Sequence, residues 1–267
     1  MPLKQALRSV ARTVGLRRTR VAAARMCCER HVLATLSSRR ERSVGRILCY
    51  HSIGQPDWGV NDVSPERFRR QIELSLDRGF RFVPASVIAR GASGPRDLAI
   101  TFDDGLRSVF DNAAPILADY KIPWSLFVVS EWADGKRFGP ETALGWREVE
   151  KLAALGAEIG SHSATHPDFG KLSGVQAADE LGDSRTTIEK RTGIVADTFA
   201  IPLGQSGNWS AVAGEAALKT GYDVIYAQAE ETRPAGTVAR TFVTRFDTPR
   251  IFKALLGGTF DRWEEWV

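Results

Sequence analysis

The sequence predicts an α/β fold in which seven or eight parallel β-strands, alternating with helices, form a closed or nearly closed (β/α) barrel. From residue 46 onward, short apolar runs alternate with helical segments, which is typical of repeated β-α units around a parallel sheet. No glycine-rich phosphate loop follows an early strand, as would be usual in an open doubly wound sheet. We therefore expect the functional site at the C-terminal ends of the barrel strands.

Eight runs are the candidate strands, at residues 46–50, 81–83, 97–102, 124–129, 158–161, 198–201, 223–227 and 241–245. The helices between them carry boundary signals. Ser64 and Pro65 supply an N-cap and a first-turn proline, and Gly79 ends the helix that they begin. Three later helices are expected to end at Gly156, Gly193 and Gly221.

The composition is that of a globular chain, with 267 residues of which 43% are hydrophobic and 25% are charged. No window reaches the apolar length of about 18 residues that a spanning helix needs, and the N-terminus lacks the apolar core of a secretory signal. The three cysteines, Cys27, Cys28 and Cys49, do not have the pattern of a disulfide framework. We therefore expect a cytoplasmic protein in a reducing compartment.

Positive charge is concentrated in the N-terminal part of the chain. Residues 1–46 contain twelve Lys and Arg against two acidic residues, whereas the remainder contains 24 basic and 30 acidic residues. This change in composition predicts a basic extension over residues 1–45 and a main domain over residues 46–267.

Four apolar residues of this extension recur every three or four positions, with Lys and Arg beside them. They are Leu3, Leu7, Val10 and Val14. The spacing indicates a basic amphipathic helix. Through residues 1–40 the extension could contact an anionic membrane surface, and a solvated or disordered basic arm is the alternative. Its lack of aromatic residues argues against a nucleic-acid partner.

The stretch LAITFDDG ends a predicted strand in two adjacent carboxylates, Asp103 and Asp104, followed by Gly105. Successive side chains of a strand point to opposite faces, so both carboxylates can share one site only if the strand ends there. Gly105 tolerates the turn that this requires. A catalytic or metal-binding edge explains the pair, and an acidic loop leading to a helix N-cap is the alternative.

Two of the four histidines, His162 and His166, lie four residues apart after another predicted strand. At this spacing both imidazoles can reach one metal ion. Together with one aspartate they would leave coordination positions for water and substrate, and the second aspartate could then accept a proton from that water. Histidines in an ordinary surface loop are the alternative.

Three motifs in this order, TFDDG, HSATH and FAIPLG, resemble the first three motifs of the polysaccharide deacetylases, carbohydrate esterase family 4 with the NodB homology domain. The resemblance extends from ILCYHSIG to GYDVIYA and covers roughly residues 46–250. It implies a distorted (β/α)7–8 barrel and a divalent metal ion, usually zinc, with cobalt, manganese or nickel as alternatives. It also implies hydrolytic removal of acetyl groups from N-acetylated sugars of a polysaccharide, glycolipid or surface-glycan precursor.

Transferred to this sequence, the resemblance implies that Asp103 is the catalytic base and that Asp104, His162 and His166 are the metal ligands. It places the backbone N–H of Leu203 where the family holds the oxyanion. That division of roles is chemically consistent with amide hydrolysis.

The sequence departs from the family pattern at two points. Ala200 stands where an arginine often orients the base, and no histidine follows His166 to act as the general acid. We predict that Arg245, at the end of a late strand, pairs with Asp103. We also predict that His51, directly after the first strand, supplies the proton. A surface arginine and a buried, hydrogen-bonded histidine are the respective alternatives.

Three tryptophans near the motifs, Trp58, Trp146 and Trp209, are candidates for stacking on a sugar ring, with ordinary packing as the alternative. The favoured hypothesis is a metal-dependent carbohydrate N-deacetylase, located in the cytoplasm and peripheral on the inner membrane surface. A catalytically impaired carbohydrate-binding pseudoenzyme and an O-acetyl esterase using the same site are the alternatives.

Overall fold

The computed structural model describes residues 18–36, 42–228, 232–261 and 263. Its strands are β1 (Arg46–Tyr50), β2 (Ser52–Ile53), β3 (Asp62–Val63), β4 (Arg81–Phe82), β5 (Asp97–Phe102), β6 (Trp124–Val128), β7 (Glu158–Ser161), β8 (Thr198–Ala200), β9 (Val224–Gln228) and β10 (Val238–Phe242). Its α-helices are α1 (Arg18–Leu36), α2 (Pro65–Asp77), α3 (Ala85–Ala89), α4 (Ala114–Asp119), α5 (Ser130–Ala133), α6 (Trp146–Ala154), α7 (Gly174–Thr192), α8 (Ala211–Thr220) and α9 (Pro249–Leu256). Within these described ranges, no helix is both long enough and apolar enough to cross a membrane.

Seven strands form a closed parallel barrel in the order β1-β10-β9-β8-β7-β6-β5, and β5 pairs back with β1. β4 pairs with the first residues of β5, whereas β6 pairs with the last ones. The short strands β2 and β3 pair with each other beyond the end of β1. The predicted α/β barrel is confirmed.

The barrel interior is closely packed. Because side chains alternate along each strand, every second residue faces the barrel axis. Phe127 of β6 and Tyr226 of β9 meet there with ring centroids 5.1 Å apart. Gly160 of β7 is required beside them, because a Cβ at this position would lie 2.5 Å from the Phe127 ring. A second apolar core fills the space between the barrel and its helices.

The last strand lies earlier in the chain than predicted. It spans Val238–Phe242 instead of residues 241–245, so Arg245 falls in the turn that follows. Two buried polar residues, Arg240 and Thr241, interrupt the apolar pattern of this strand. A buried arginine therefore hid the strand from a prediction based on hydrophobic periodicity.

Helix α1 packs against the barrel through a buried ion pair. Arg30 is fully buried, and its guanidinium donates to both carboxylate oxygens of Asp247, at 2.5 and 2.6 Å. The same guanidinium lies over the rings of Phe260 and Trp263, 4.4 and 5.0 Å from their centroids. Part of the predicted N-terminal extension is therefore docked on the barrel. The predicted amphipathic helix over residues 3–14 lies outside the described residues, and its membrane contact stays a prediction.

Candidate active site

The predicted site residues lie at one end of the barrel. In parallel strands the C-terminal ends meet at the same edge, so residues that are distant in sequence come together there. They are His51 after β1, Asp103 and Asp104 after β5, His162 and His166 after β7, and Leu203 after β8.

Four residues at this end have a left-handed backbone conformation that residues other than glycine rarely adopt. Their φ angles are 73° at Asp104, 71° at Ser163, 67° at His166 and 66° at Leu203. Among the described residues, one further non-glycine residue has a positive φ angle. It is Lys121, which is distant from the site residues in sequence. Each costs roughly 1–3 kcal/mol and persists only where the surroundings impose it. The turn at Asp104 explains how two consecutive aspartates face one site.

Asp104, His162 and His166 form a cluster whose ligand atoms all lie within 4.8 Å of one another. Oδ1 of Asp104 lies 3.5 Å from Nε2 of each histidine. This oxygen is buried and accepts no hydrogen bond from the described residues. An unsatisfied buried carboxylate oxygen beside two imidazole nitrogens is costly unless a cation binds there. The three residues fit a divalent metal ion with open coordination positions.

Two neighbouring groups orient the cluster. The Nδ1–H of His162 donates to the Ala200 carbonyl at 2.8 Å, which leaves the Nε2 lone pair pointing to the cluster. The indole N–H of Trp58 donates to Oδ2 of Asp104 at 3.1 Å, which leaves Oδ1 facing the two histidines. The sequence predicts only a sugar contact for Trp58, since nothing in it indicates a hydrogen bond across 46 residues.

The loop that carries the histidines is held by Glu180 of α7. The carboxylate of Glu180 accepts hydrogen bonds from the backbone N–H groups of Ala164 and Thr165, at 3.0 and 2.9 Å. The backbone N–H of His166 donates to Oγ of Ser163 at 2.8 Å. These bonds hold the strained turn that directs His166 toward its partners.

Asp103 forms a bidentate ion pair with Arg240. Both nitrogen–oxygen distances are 2.6 Å, and both side chains are buried. The guanidinium lies over the rings of Phe127 and Tyr226, at 5.3 and 5.8 Å from their centroids. The aromatic residues in the barrel interior therefore support the arginine, and the arginine orients the carboxylate.

The prediction that Arg245 pairs with Asp103 is wrong. Arg245 is exposed in the turn after β10, and no described carboxylate lies within ion-pair distance of it. Because β10 ends at Phe242, the strand alternation places Arg240 in the interior instead. The available signal was an arginine within an otherwise apolar stretch, a position where a charge must find a buried partner.

The ionisation states divide the roles within the site. Burial favours protonation of Asp103, but Arg240 outweighs this and holds the pKa of that carboxyl well below its usual value. Burial, with the negative charge of Asp103, raises the pKa of Asp104 to about 6. Burial lowers the pKa of His162 to about 3 and also lowers the pKa of His166. Near pH 7 both imidazoles are therefore neutral, as metal ligands must be, and Asp103 is ionised.

His51 and Leu203 lie on the same cleft. The ring of His51 packs edge-on against Phe242 with centroids 5.4 Å apart, and its buried Nδ1 has no hydrogen-bond partner among the described residues. The carbonyl of Leu203 accepts a hydrogen bond from Nε2 of Gln228 at 3.2 Å. The roles predicted for His51 and Leu203 stay predictions.

The three candidate tryptophans have different environments. Trp58 lines the cleft and packs against Trp132 and Phe138, with centroids 6.1 and 5.6 Å apart. Trp209 is buried in the main core, and Trp146 packs against that core away from the cleft lining. Of the three, Trp58 is placed to meet a substrate in the cleft.

The cleft above the Asp104–His162–His166 cluster has a volume of about 930 Å³, in the range of small-ligand sites. Helix α1 contributes one wall through Ala22, Ala23 and Met26, and the end of β10 contributes Phe242 and, in the turn beyond it, Phe246. The contribution of α1 was missed, because its sequence pattern does not show where the helix docks.

Comparison with known proteins gives a consistent result. Residues 90–225, just over half of the chain, match the model of the polysaccharide deacetylase family. The Bacillus subtilis protein YxkH is 26% identical over 183 residues, which cover 67% of this chain and 62% of that protein. A chitooligosaccharide deacetylase of Sinorhizobium fredii is 29% identical over 83 residues, covering 31% of this chain and 34% of that enzyme. The chain thus spans less than two thirds of either relative.

Solved structures agree on the architecture. The Streptococcus pyogenes deacetylase PplD, determined in complex with acetate, matches with a TM-score of 0.68 at 20% identity. The match covers 81% of this chain and 98% of that one. At this level of identity the likeness establishes the fold.

Proposed function

Because the chain belongs to the polysaccharide deacetylase family, we propose that it is a metal-dependent hydrolase that removes acetyl groups from N-acetylated sugars. The observation that carries the proposal is the different pairing of two adjacent aspartates. Asp103 is bound by Arg240, whereas Oδ1 of Asp104 faces two imidazole nitrogens without a hydrogen bond from any described residue. One carboxylate is ready to accept a proton, and the other is ready to hold a cation. Zinc suits this ligand set best.

The residues of the chain divide the work of amide hydrolysis. A divalent ion held by the Asp-His-His cluster would polarise the acetyl carbonyl and lower the pKa of a water molecule. Asp103 accepts the proton of the attacking water, and Arg240 keeps Asp103 ionised and oriented. The backbone N–H of Leu203 donates to the carbonyl oxygen as negative charge develops there.

The leaving amine needs a proton, and His51 is the residue proposed to supply it. Its ring lies on the cleft, and an imidazole can give and take protons near neutral pH. A His51→Gln variant that folds normally is expected to lose turnover, as judged by acetate release beside circular dichroism. Unchanged turnover would remove this role.

The proposal is tested by measuring acetate release from N-acetylglucosamine oligosaccharides. Metal-stripped protein is compared with protein reloaded with zinc, cobalt, manganese or nickel, and Asp103→Asn serves as the control. We expect release that depends on the metal and falls about 10²- to 10⁴-fold in the variant. Release that persists without metal, or in Asp103→Asn, would contradict the proposal.

Parallel assays separate the alternatives. Stoichiometric metal binding without release from any substrate would identify a binding-only protein, and faster release from O-acetylated sugars would identify an esterase. The binding-only alternative rests on the missing arginine at Ala200 and on the missing late histidine. The pairing of Arg240 with Asp103 supplies that arginine from another strand and favours an enzyme.

A further inference from the structure

The cleft above the metal cluster is lined by more cationic than anionic side chains. Three arginines line it, and they are Arg20 of α1, Arg137 after α5 and Arg245 after β10. Among the described residues its acidic lining consists of Asp103 and Asp104, of which the first is paired with Arg240 and the second belongs to the metal cluster. A bound divalent ion would make the excess of positive charge larger still.

A neutral N-acetylated sugar offers no partner for this charge. We propose that the preferred substrate is an N-acetylated saccharide that carries a phosphate or carboxylate group, bound by these cleft arginines. The inference rests on the deacetylase function proposed above and names the chemical class of its substrate. Arginine suits the task because its planar guanidinium binds either anion through two parallel hydrogen bonds.

Arg137 is held close to the reacting centre. Its guanidinium lies 5.4 Å from the ring centroids of both Trp132 and Phe138. The Trp132 ring in turn lies 5.4 Å from the ring of His166. One aromatic ring therefore separates the arginine from a metal ligand. The side chain is exposed, and no carboxylate in the described part of the chain lies within ion-pair distance.

Arg245 occupies a second position on the cleft. Its backbone N–H donates to the carbonyl of Val60 at 2.9 Å, which fixes it beside the segment that carries Trp58. Arg245 lines the cleft, its side chain is exposed, and no carboxylate in the described ranges lies within ion-pair distance of it. Arg245, which the sequence predicts as the partner of Asp103, would thus bind the substrate instead.

The positive lining of the cleft contrasts with the net charge of the main domain. Residues 47–267 contain 24 basic and 30 acidic residues, so the bulk of the chain is net negative. Several exposed arginines elsewhere are neutralised by nearby acids, as in the pairs Arg69–Asp119 and Arg90–Asp197. Arg137 and Arg245 have no acidic partner among the described residues and lie on the cleft that holds the Asp104–His162–His166 cluster, and this placement favours an anionic ligand.

Two sources of such an anion are chemically suitable. One is the phosphodiester of a lipid-linked sugar, whose apolar chain could lie against Ala22, Met26 and Phe246 of the same cleft. The other is an acidic polysaccharide in which uronic acids neighbour the N-acetylated sugar. Both present an anionic oxygen group to the arginines, and the experiment below distinguishes between them.

The test compares kcat/KM for acetate release from four probes with the zinc-loaded full chain. These are N-acetylglucosamine, its 1-phosphate, its 1-phosphodiester with a short isoprenoid, and an oligosaccharide alternating N-acetylglucosamine with glucuronic acid. Arg137→Gln, Arg245→Gln and the double variant are measured beside Arg147→Gln, which alters an exposed arginine outside the cleft lining. Calorimetric titration of the first two probes gives a readout independent of turnover.

We expect the anionic probes to exceed the neutral one by about tenfold or more, which corresponds to one charge-assisted hydrogen bond. This ratio should fall with added salt and in each cleft variant, but not in Arg147→Gln. A ratio near one would overturn the inference. A ratio that is unchanged in the double variant would also overturn it, because that result is expected if the phosphate binds only to the metal. If no probe releases acetate, the deacetylase proposal fails, and the titrations still decide whether the arginines select an anion.

Discussion

The two ends of the barrel satisfy their acidic groups in different ways. At the N-terminal end, Glu158 of β7 accepts hydrogen bonds from the hydroxyls of Ser125 and Ser86 and from the Ser86 backbone N–H. Asp97 of β5 accepts two from Arg81, at 2.9 and 3.1 Å. All four carboxylate oxygens of these two residues therefore have partners.

At the C-terminal end the same kind of group is left incomplete. Oδ1 of Asp104 has no donor among the described residues, and the backbone at Asp104 and His166 is strained. Buried polar groups are normally hydrogen-bonded, so an exception in a closely packed protein needs a cause. The difference teaches that one end of the barrel is built for stability, while the other gives up stability to leave a carboxylate oxygen unpaired, as the proposed metal site requires.

The largest effect is expected from Arg240→Met. The change leaves Asp103 buried without its partner, and breaking a buried ion pair costs about 3–5 kcal/mol of unfolding free energy. Arg245→Met is the matched control, and a change within about 0.5 kcal/mol is expected there because Arg245 is exposed. Urea unfolding followed by circular dichroism measures both. Equal losses in the two variants would show that the Asp103–Arg240 pair does not carry the stability assigned to it.

Trp58→Phe is expected to weaken metal binding about tenfold. The variant keeps the aromatic packing but loses the N–H that donates to Oδ2 of Asp104, and such outer partners are typically worth 10- to 100-fold in metal affinity. Competition with a chromophoric chelator measures the affinity. Trp146→Phe, away from the cleft, should leave it unchanged, and equal affinities in the two variants would contradict the role given to Trp58.

Metal affinity is expected to fall as the pH drops below about 6. Burial raises the pKa of Asp104 to about 6, so below that pH the metal-free protein holds a proton that the ion must displace. One displaced proton lowers the affinity about tenfold per pH unit. The pKa of His162, lowered to about 3, adds no second proton in this range. Calorimetry at pH 5 in buffers of different ionisation enthalpy should report at least one proton released per ion, and a count of none would contradict this assignment.

The smallest effect is expected at the opposite end, from Glu158→Gln. The amide oxygen can still accept from Ser125, and the amide nitrogen can donate to the Ser86 hydroxyl, so the unfolding free energy should change by less than about 1 kcal/mol. Asp104→Asn, the equivalent change at the C-terminal end, should abolish stoichiometric zinc binding. Urea unfolding and zinc titration of both variants test the comparison. Loss of zinc binding in Glu158→Gln would contradict it.

Local signals were sufficient for the site residues that follow strand ends. The strands before Asp103 and His162 have the bounds that the sequence predicts, because buried parallel strands appear in the sequence as short apolar runs. Once the strands are known, their ends must share one edge of the barrel. The proximity of Asp104 to His162 and His166 could therefore be predicted from their positions directly after strand ends.

The partners of those residues could not be found in the same way. Asp103 and Arg240 are 137 residues apart and meet only because β10 closes the ring onto β1, which in turn pairs with β5. A one-residue shift in the pairing register of β10 would turn every side chain to the opposite face. Choosing between Arg240 and Arg245 therefore required the observed register.

The sequence by itself determined the alternation of strands and helices, the family motifs and the residue types of the candidate metal site, because these depend on neighbours along the chain. Only the tertiary structure decided that Arg240 orients Asp103, that Trp58 holds Asp104, and that α1 walls the cleft with Arg20 among its lining residues. The physical reason is that each of these contacts depends on closure of the barrel and on docking of a helix. Both arise from burial summed over the whole fold, which no local pattern records.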